Sequence, residues 1–253
     1  MSRVFWALAR ALLIAAALVA LWQAVVTGFA LPHYMLPSPE RVAAVFRAQP
    51  GYLATHGLTT FLEIVVGLAT GALLGVVTAL VMSFLPLARK LVLPVVVASQ
   101  ALPVFAIAPL LVVWFGFGMA SKIVMASLII YFPVASSFYD GLTRTDRGLV
   151  ELAGLSGASR WQTLIHIRIP AALPNLASGL RVAVAVAPIG AVVGEWVGAS
   201  SGLGFVMIQA NARMQTDTVF AALIVLAVIA VTLRQVVDRA TRRLVFWAPE
   251  TDA

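Results

Sequence analysis

The chain of 253 residues has no cysteine, which excludes disulfides, thiolate metal ligands and thiol catalysis. It is also poor in charge, at 11%, where a soluble domain carries about 25%. The only three histidines, His33, His56 and His166, fall in separate intervals and do not have the spacing of a metal site. No Ser/His/Asp set gathers in one compartment either. Acids are the scarcest charges, ten against 17 lysines and arginines. What fills the chain is apolar: 62% hydrophobic residues and a mean hydropathy of +1.01. This is the composition of a polytopic membrane protein. The net charge of +7 then belongs to loops at one membrane face rather than to nucleic-acid binding.

Six apolar runs are long enough to span. Arg3 and Arg10 precede the first, from Ala11 to about Leu31; it is too long for a signal-peptide core and is read as an uncleaved span. Ser38-Pro39 looks like a helix start, with serine as N-cap. Val42, Val45 and Phe46 then form the stripe of a short helix lying at the membrane interface. The second span, Leu58 to Leu85, carries Gly67, Gly71 and Gly75 at fourfold spacing. Such a stripe either admits a close helix neighbour or reflects the general frequency of glycine in membrane helices. The third, Leu91 to about Phe117, is interrupted by Pro94, Pro103 and Pro109. It is expected to be broken and to face the protein interior, because freed carbonyls persist in lipid only where protein or water satisfies them. Spans four (Ile123 to about Tyr139), five (Leu176 to Gly198) and six (Thr218 to about Val237) follow, with a loop rich in Gly, Ser and Asn from Ala199 to Asp217.

Six spans place both termini on one side. Thirteen of the seventeen basic residues fall there, leaving Arg41, Arg47, Lys122 and Arg213 opposite, and the basic side is cytoplasmic. The fold expected is therefore all-α with six transmembrane helices.

The one long polar interval on the cytoplasmic side is Asp140 to Asn175. Its core, ELAGLSGASRWQTLIHIRIP (Glu151 to Pro170), reads as two short helices broken at Gly157. Ser159 and Gln162 have capping-box spacing, which starts the second helix at Arg160. Trp161, Leu164, Ile165 and Ile169 share one face of it, and Pro170 is expected to stop it. This helix–turn–helix either packs back on its own bundle or fits a groove on another protein.

Glu151-x-Ala153, Gly157-Ala158 and Ile167-x-x-Pro170 resemble the cytoplasmic coupling loop of type I ABC importer permeases. Leu152 and Ser156 depart from the family pattern, which has alanine and frequently an acid at those positions. The resemblance covers roughly Gly57 to Asp238. Leu36-Pro37-Ser38-Pro39, Pro109-Leu110, Trp114-Phe115-Gly116 and Ser121-Lys122 resemble the nitrate/sulfonate/taurine branch. The stretches Gly190 to Gly198 and Asn211 to Asp217 are most similar to permeases of thiamine-precursor (hydroxymethylpyrimidine) importers. The resemblance implies a first span and interfacial segment over 1–56, a permease domain over 57–238 and a basic tail over 239–253. It further implies a homodimer in the lipid bilayer of a bacterial inner (plasma) membrane, two ATPase subunits docked on the loop at Glu151, Ala153, Gly157, Ala158, Ile167 and Pro170, and an extracytoplasmic binding protein that delivers substrate. The chain itself has no G-x-x-x-x-G-K-[ST] stretch, so it is not the ATPase, and no cofactor is expected.

Candidate residues of the translocation path are Ser99, Gln100, Pro103 and Glu195. Gln100 lies about 14 Å into span three at 1.5 Å per residue, beside the Ser99 carbonyl that Pro103 frees. Its amide contacts either a polar solute or a neighbouring helix. Glu195 is the one acid deep in span five; it either faces the path or forms a gate or structural pair, with Arg213 as the partner in view. Glu63 is placed at the interface, and Arg181 is read as snorkelling. Mid-span regions almost free of base favour a neutral or cationic heterocycle. A sulfonate, taurine or nitrate is the alternative cargo. A stand-alone secondary transporter would show inverted repeats and coupling-ion ligands, and an intramembrane enzyme would need convergent groups at depth.

Overall fold

A computed structural model describes residues 2–101 and 103–247. Every element there is helical: α1 (Ser2–Gly28), α2 (Pro39–Ala48), α3 (Pro50–Phe84), α4 (Pro86–Ala101), α5 (Val104–Phe115), α6 (Met119–Thr143), α7 (Arg147–Leu155), α8 (Arg160–Thr163), a π-helical turn (Leu164–Arg168), α9 (Ile169–Gly198), α10 (Leu203–Ala212) and α11 (Thr216–Leu244). Four continuous helical stretches among the described residues are long and apolar enough to cross a bilayer: Pro50–Phe84, Met119–Thr143, Arg160–Gly198 and Thr216–Leu244. The pair α4–α5 is apolar enough to pass only as two halves taken together, which differ in direction by 103°, the geometry of a broken span or of a re-entrant loop.

The centre of the bundle is α6, packed between α3 and α9. Glycine makes this possible on both sides. A Cβ at Gly67 would stand 2.5 Å from Ala126 Cβ, one at Gly71 2.8 Å from the Ser127 carbonyl, and one at Gly75 3.0 Å from the Ala135 nitrogen. Opposite, a Cβ at Gly190 would lie 2.9 Å from Ala126 Cα. The fourfold stripe on α3 and Gly190 on α9 thus seat α6 at backbone contact, and the close-neighbour reading of the α3 stripe holds. In lipid, where burial from water supplies little, such dispersion contacts carry association. Replacing Gly67 by leucine should destabilise the bundle by about 1–3 kcal/mol through overpacking, read as a lower thermal midpoint of the detergent-purified chain.

Proline acts selectively. Only Pro103 coincides with a break, as the residue preceding α5; Pro94 and Pro109 lie inside α4 and α5. The fixed φ of proline is itself helical, so one lost hydrogen bond need not end a helix. Nor does this pair face inward within one chain. Val96, Ala108, Leu111 and Val112 are buried, while Leu91, Val95, Phe105, Val113 and Trp114 stay exposed. One flank packs on the bundle and the other is left open.

Outside the bundle, Ser38 caps α2, its side chain accepting from the Arg41 nitrogen. The stripe on α2 does not lie free: Val42 and Val45 are buried with Leu53 and Ala221. Arg41 reaches Asp217 at 3.5 Å. Trp22 of α1 stacks on Phe220 of α11 with centroids 5.6 Å apart.

Candidate functional site

The loop between α6 and α9 is built by its caps. Asp146 opens α7, its carboxylate accepting from the nitrogens of Gly148 (2.6 Å) and Leu149 (3.3 Å). The helix closes on Gly157, whose φ of +79° is left-handed. Gly157 N–H donates to the Gly154 carbonyl at 3.0 Å, and Ala158 N–H to the Ala153 carbonyl at 2.9 Å. This pair of bonds is a Schellman closure, which requires a positive φ at the glycine position. Space does not demand the glycine, since a Cβ there would meet nothing within 4 Å. Conformation does. Ser159 then starts the next helix with a complete capping box: its hydroxyl accepts from the Gln162 nitrogen (3.2 Å) and its own N–H donates to Gln162 Oε1 (2.8 Å).

Pro170 does not stop this helix. Arg160 to Gly198 runs as one 39-residue helical stretch, with Pro170 in the first turn of α9. The π turn at Leu164–Arg168 explains the tolerance. There Ile169 N–H bonds back to Leu164, five residues rather than four, which widens the turn preceding the proline ring.

The apolar residues of the loop divide. Leu164 is buried in the main core, and Ala153 and Thr163 are buried beneath the turn. Trp161 remains exposed and meets Phe84, at the end of α3, edge-on at 5.6 Å. On α7 Leu149, Leu152 and Leu155 recur every third residue, and all are exposed, Leu155 at 88%. One face of α7 is therefore apolar and left exposed among the described residues. Beside it Gly157, Ala158 and Ile167 line a cleft of about 330 Å³ with Ser156, Gln162 and His166. Glu151 and Arg168 line another of about 200 Å³.

A second cluster lies at the opposite end of the bundle, and the sequence pattern alone did not assemble it. Glu63, expected at the interface, is 2% exposed; Lys122, expected in a loop, is 1% exposed on α6; Glu195 is 1% exposed. Glu195 does not pair with Arg213, which is exposed. Its Oε1 accepts from the Thr60 hydroxyl at 2.6 Å, and its Oε2 accepts from Gly204 N–H. Thr60 in turn accepts from Leu203 N–H at 2.8 Å, and His56 Nδ1 from Gly202 N–H at 3.0 Å. The Lys122 ammonium donates to the Phe117 carbonyl at 2.7 Å and to the Gly198 carbonyl. The segment read as a Gly/Ser/Asn loop thus contains α10, tethered at its start by side chains from α3 and α9. The available signal was the rarity of Glu63, Lys122 and Glu195 as charges inside apolar runs. At the loop end, Arg181 does not simply snorkel: its Nε lies 3.3 Å from Asp238 and 3.3 Å from the Thr241 hydroxyl of α11.

Of the proposed path residues, Ser99 and Pro103 flank the α4–α5 break, with the Ser99 hydroxyl donating to the Val96 carbonyl at 2.7 Å. Gln100 is in the last turn of α4, and its side chain lies outside the described residues. Glu195 belongs to the other cluster, with both oxygens engaged.

Comparisons with known proteins agree with this architecture. Residues 71–246 match the family "Binding-protein-dependent transport system inner membrane component". A probable ABC transporter permease of Haemophilus influenzae is 51% identical over 94% of this chain and 98% of its own. The riboflavin transport system permease RibX of Chloroflexus aurantiacus is 37% identical over 91% and 87%. The formylaminopyrimidine transport permease ThiX of Halalkalibacterium halodurans is 37% identical over 78% and 80%. Among solved structures, an amino acid ABC transporter shares the fold at a TM-score of 0.62 and 17% identity, covering 81% of this chain and 98% of that one. The chain belongs to the type I ABC importer permeases, in the branch that includes sulfonate, taurine and thiamine-precursor permeases.

Proposed function

We propose that this chain forms a homodimer of six-span subunits, docks two ATPase subunits through the α7–α8 turn, and moves a thiamine-precursor pyrimidine or a similar small nitrogen heterocycle inward. The observation that carries the docking is the exposed face of Leu149, Leu152 and Leu155 beside the Gly157 turn. An amphipathic helix that leaves its apolar side open is completed by a groove on a partner. Glu151, Ala153, Gly157, Ala158, Ile167 and Pro170 shape that docking element. Both termini and this loop face the cytoplasm, the side that the basic residues mark, and an extracytoplasmic binding protein delivers substrate at the α10 end. ATP binds the two conformations of the assembly differently and so shifts their populations; the continuous Arg160–Gly198 helix carries that displacement from the loop into the membrane.

Two observations favour the heterocycle. Among the described residues Lys122 is buried in the cluster with Glu63 and Glu195, and Arg181 sits beside Asp238, which leaves little free positive charge along the spans to accompany an anion. The RibX and ThiX permeases, named for riboflavin and formylaminopyrimidine transport, are each 37% identical to this chain; the taurine permease TauC of Escherichia coli is 31% identical. Ser99, Gln100 and Pro103 bring the α4–α5 break to the path, and Glu195, in the cluster at the α10 end, serves as a structural gate.

Co-purification tests the docking. Tagged chain should retain its ATPase subunit, and Leu152→Asp with Leu155→Asp should reduce the retained ATPase at least tenfold, as loss of two buried interface anchors implies. Undiminished retention would rule out this face. For the cargo, proteoliposomes carrying the full transporter and its binding protein should accumulate labelled formylaminopyrimidine. Accumulation of taurine instead would reassign the substrate.

A further inference from the structure

The buried cluster at the α10 end has a geometry that an anchor of convenience would not need. α10 has no side-chain cap of its own: the residue before it, Gly202, supplies none. Its first three free N–H groups, at Gly202, Leu203 and Gly204, are instead taken by His56, Thr60 and Glu195. These acceptors come from α3 and α9, so the start of α10 is held by two spans at once. The charges match the helix ends. The carboxylate of Glu195 faces the positive start of α10, and the ammonium of Lys122 faces the Gly198 carbonyl at the negative end of α9 and the Phe117 carbonyl in the turn after α5. Gly194 permits this, since its missing Cβ would stand 3.3 Å from both Lys122 Cα and Cγ. Lys122 is thereby drawn across to the Gly198 carbonyl. Four helices and the turn after α5 converge on three buried titratable side chains and one hydroxyl, Thr60, which accepts from Leu203 while donating to Glu195.

We infer that Thr60, Glu195 and Lys122 are positioning residues for the transport cycle: they fix the pose of α10, and with it the outer surface through Gln209, Asn211, Arg213, Met214 and Gln215, to the movement of α3 and α9. The role in transport rests on the importer reading above. Of the two acids, Glu63 has the stronger electrostatic hold on Lys122. Its carboxyl lies against that of Glu195, yet its Oε2 is buried without a partner. A glutamine at 63 could donate to Glu195, whereas a glutamine at 195 can accept from only one of its two donors with its single oxygen and would present N–H groups to the other.

The test has two arms. In the assembled transporter, the concentration of loaded binding protein that half-maximally stimulates ATPase activity is measured. Thr60→Val, nearly isosteric, should raise it about tenfold, the size expected for a lost buried hydrogen bond to a charged group. The basal ATPase rate without binding protein should stay unchanged, and Thr60→Ser should restore the value to within about twofold. A fall in basal and stimulated rates together, or no rescue by serine, would mean that Thr60 only supports the fold. The second arm uses the purified full-length chain and its thermal unfolding, so it stands even if no binding protein acts. Lys122→Met and Glu195→Gln should each destabilise, and the double variant should recover part of the loss because one buried charge of each sign is removed together. Strict additivity of the two single effects would overturn the ionic junction. Failure of the first arm with success of the second would refute the coupling and leave the junction structural.

Discussion

Gly157→Pro should abolish ATP-driven uptake while leaving the membrane bundle folded. Three features of the turn converge on this outcome. Gly157 has φ +79°, and a proline ring holds φ near −65°. The Gly157 N–H that donates to Gly154 at 3.0 Å would no longer exist. Ser156, at ψ 4°, would precede a proline, which disfavours the α region for that residue. The Schellman closure therefore opens, and with it the bond from Ala158 to Ala153 that sets α8 against α7. Gly157→Ala isolates one of the three. Its methyl group meets open space and both hydrogen bonds can form, so it retains only the left-handed strain of about 1–2 kcal/mol. Alanine should weaken ATPase retention measurably, and proline should eliminate it. The check is uptake and ATPase co-purification beside the thermal midpoint of the chain alone, because the loop is exposed and contributes little to the bundle. A proline variant that transports normally would show that the turn is not the coupling point.

How much of this was legible in the sequence depends on the range of the interaction. The caps were readable because they are local: Ser38, Ser159 with Gln162, and Gly157 each act within a few residues. The glycine stripe on α3 was readable because a period of four maps directly onto one helix face, although its partner α6 was not. What failed was non-local. Pro170 looked like a stop because sequence shows the missing N–H but not the π turn at Leu164–Arg168 that makes room for it. The Ala199–Asp217 interval looked like loop because its start lacks an N-cap residue; the caps of α10 are His56 and Thr60, over 140 residues earlier, and Glu195 in the preceding helix. Glu63 reads as interfacial, Lys122 as part of the loop before span four, and Glu195 as a path residue or a gate or partner of Arg213, each apart from the others. Their burial together follows from Gly190 and Gly194 allowing α9 to approach α6, a close contact that no single segment encodes.

Gly202→Ala should be among the most damaging single-methyl additions in the chain. Two independent penalties coincide there. The residue has φ +106°, a region that L side chains rarely adopt. A Cβ would also stand 2.2 Å from the Glu195 Cδ and from its Oε1, far inside contact distance. Relief cannot come from Glu195 swinging away, because its carboxylate is buried and holds Thr60 and Gly204; displacing it strands a charge and two donors in a dry site. Nor can the backbone at 202 move freely while its N–H is bound to His56. The combined penalty is several kcal/mol, comparable to the whole stability of a typical domain. The control is Gly116→Ala. Gly116 also has a positive φ, +78°, but a Cβ there meets nothing within 4 Å, so only conformational strain applies. The expected order in thermal midpoint and in yield of folded protein from membranes is wild type, then Gly116→Ala, then Gly202→Ala by a wide margin. Pairing Gly202→Ala with Glu195→Ala, which removes the colliding carboxylate, should recover part of the loss. That recovery would identify the clash with Glu195, rather than the left-handed backbone, as the larger penalty at the corner where α9 turns into α10.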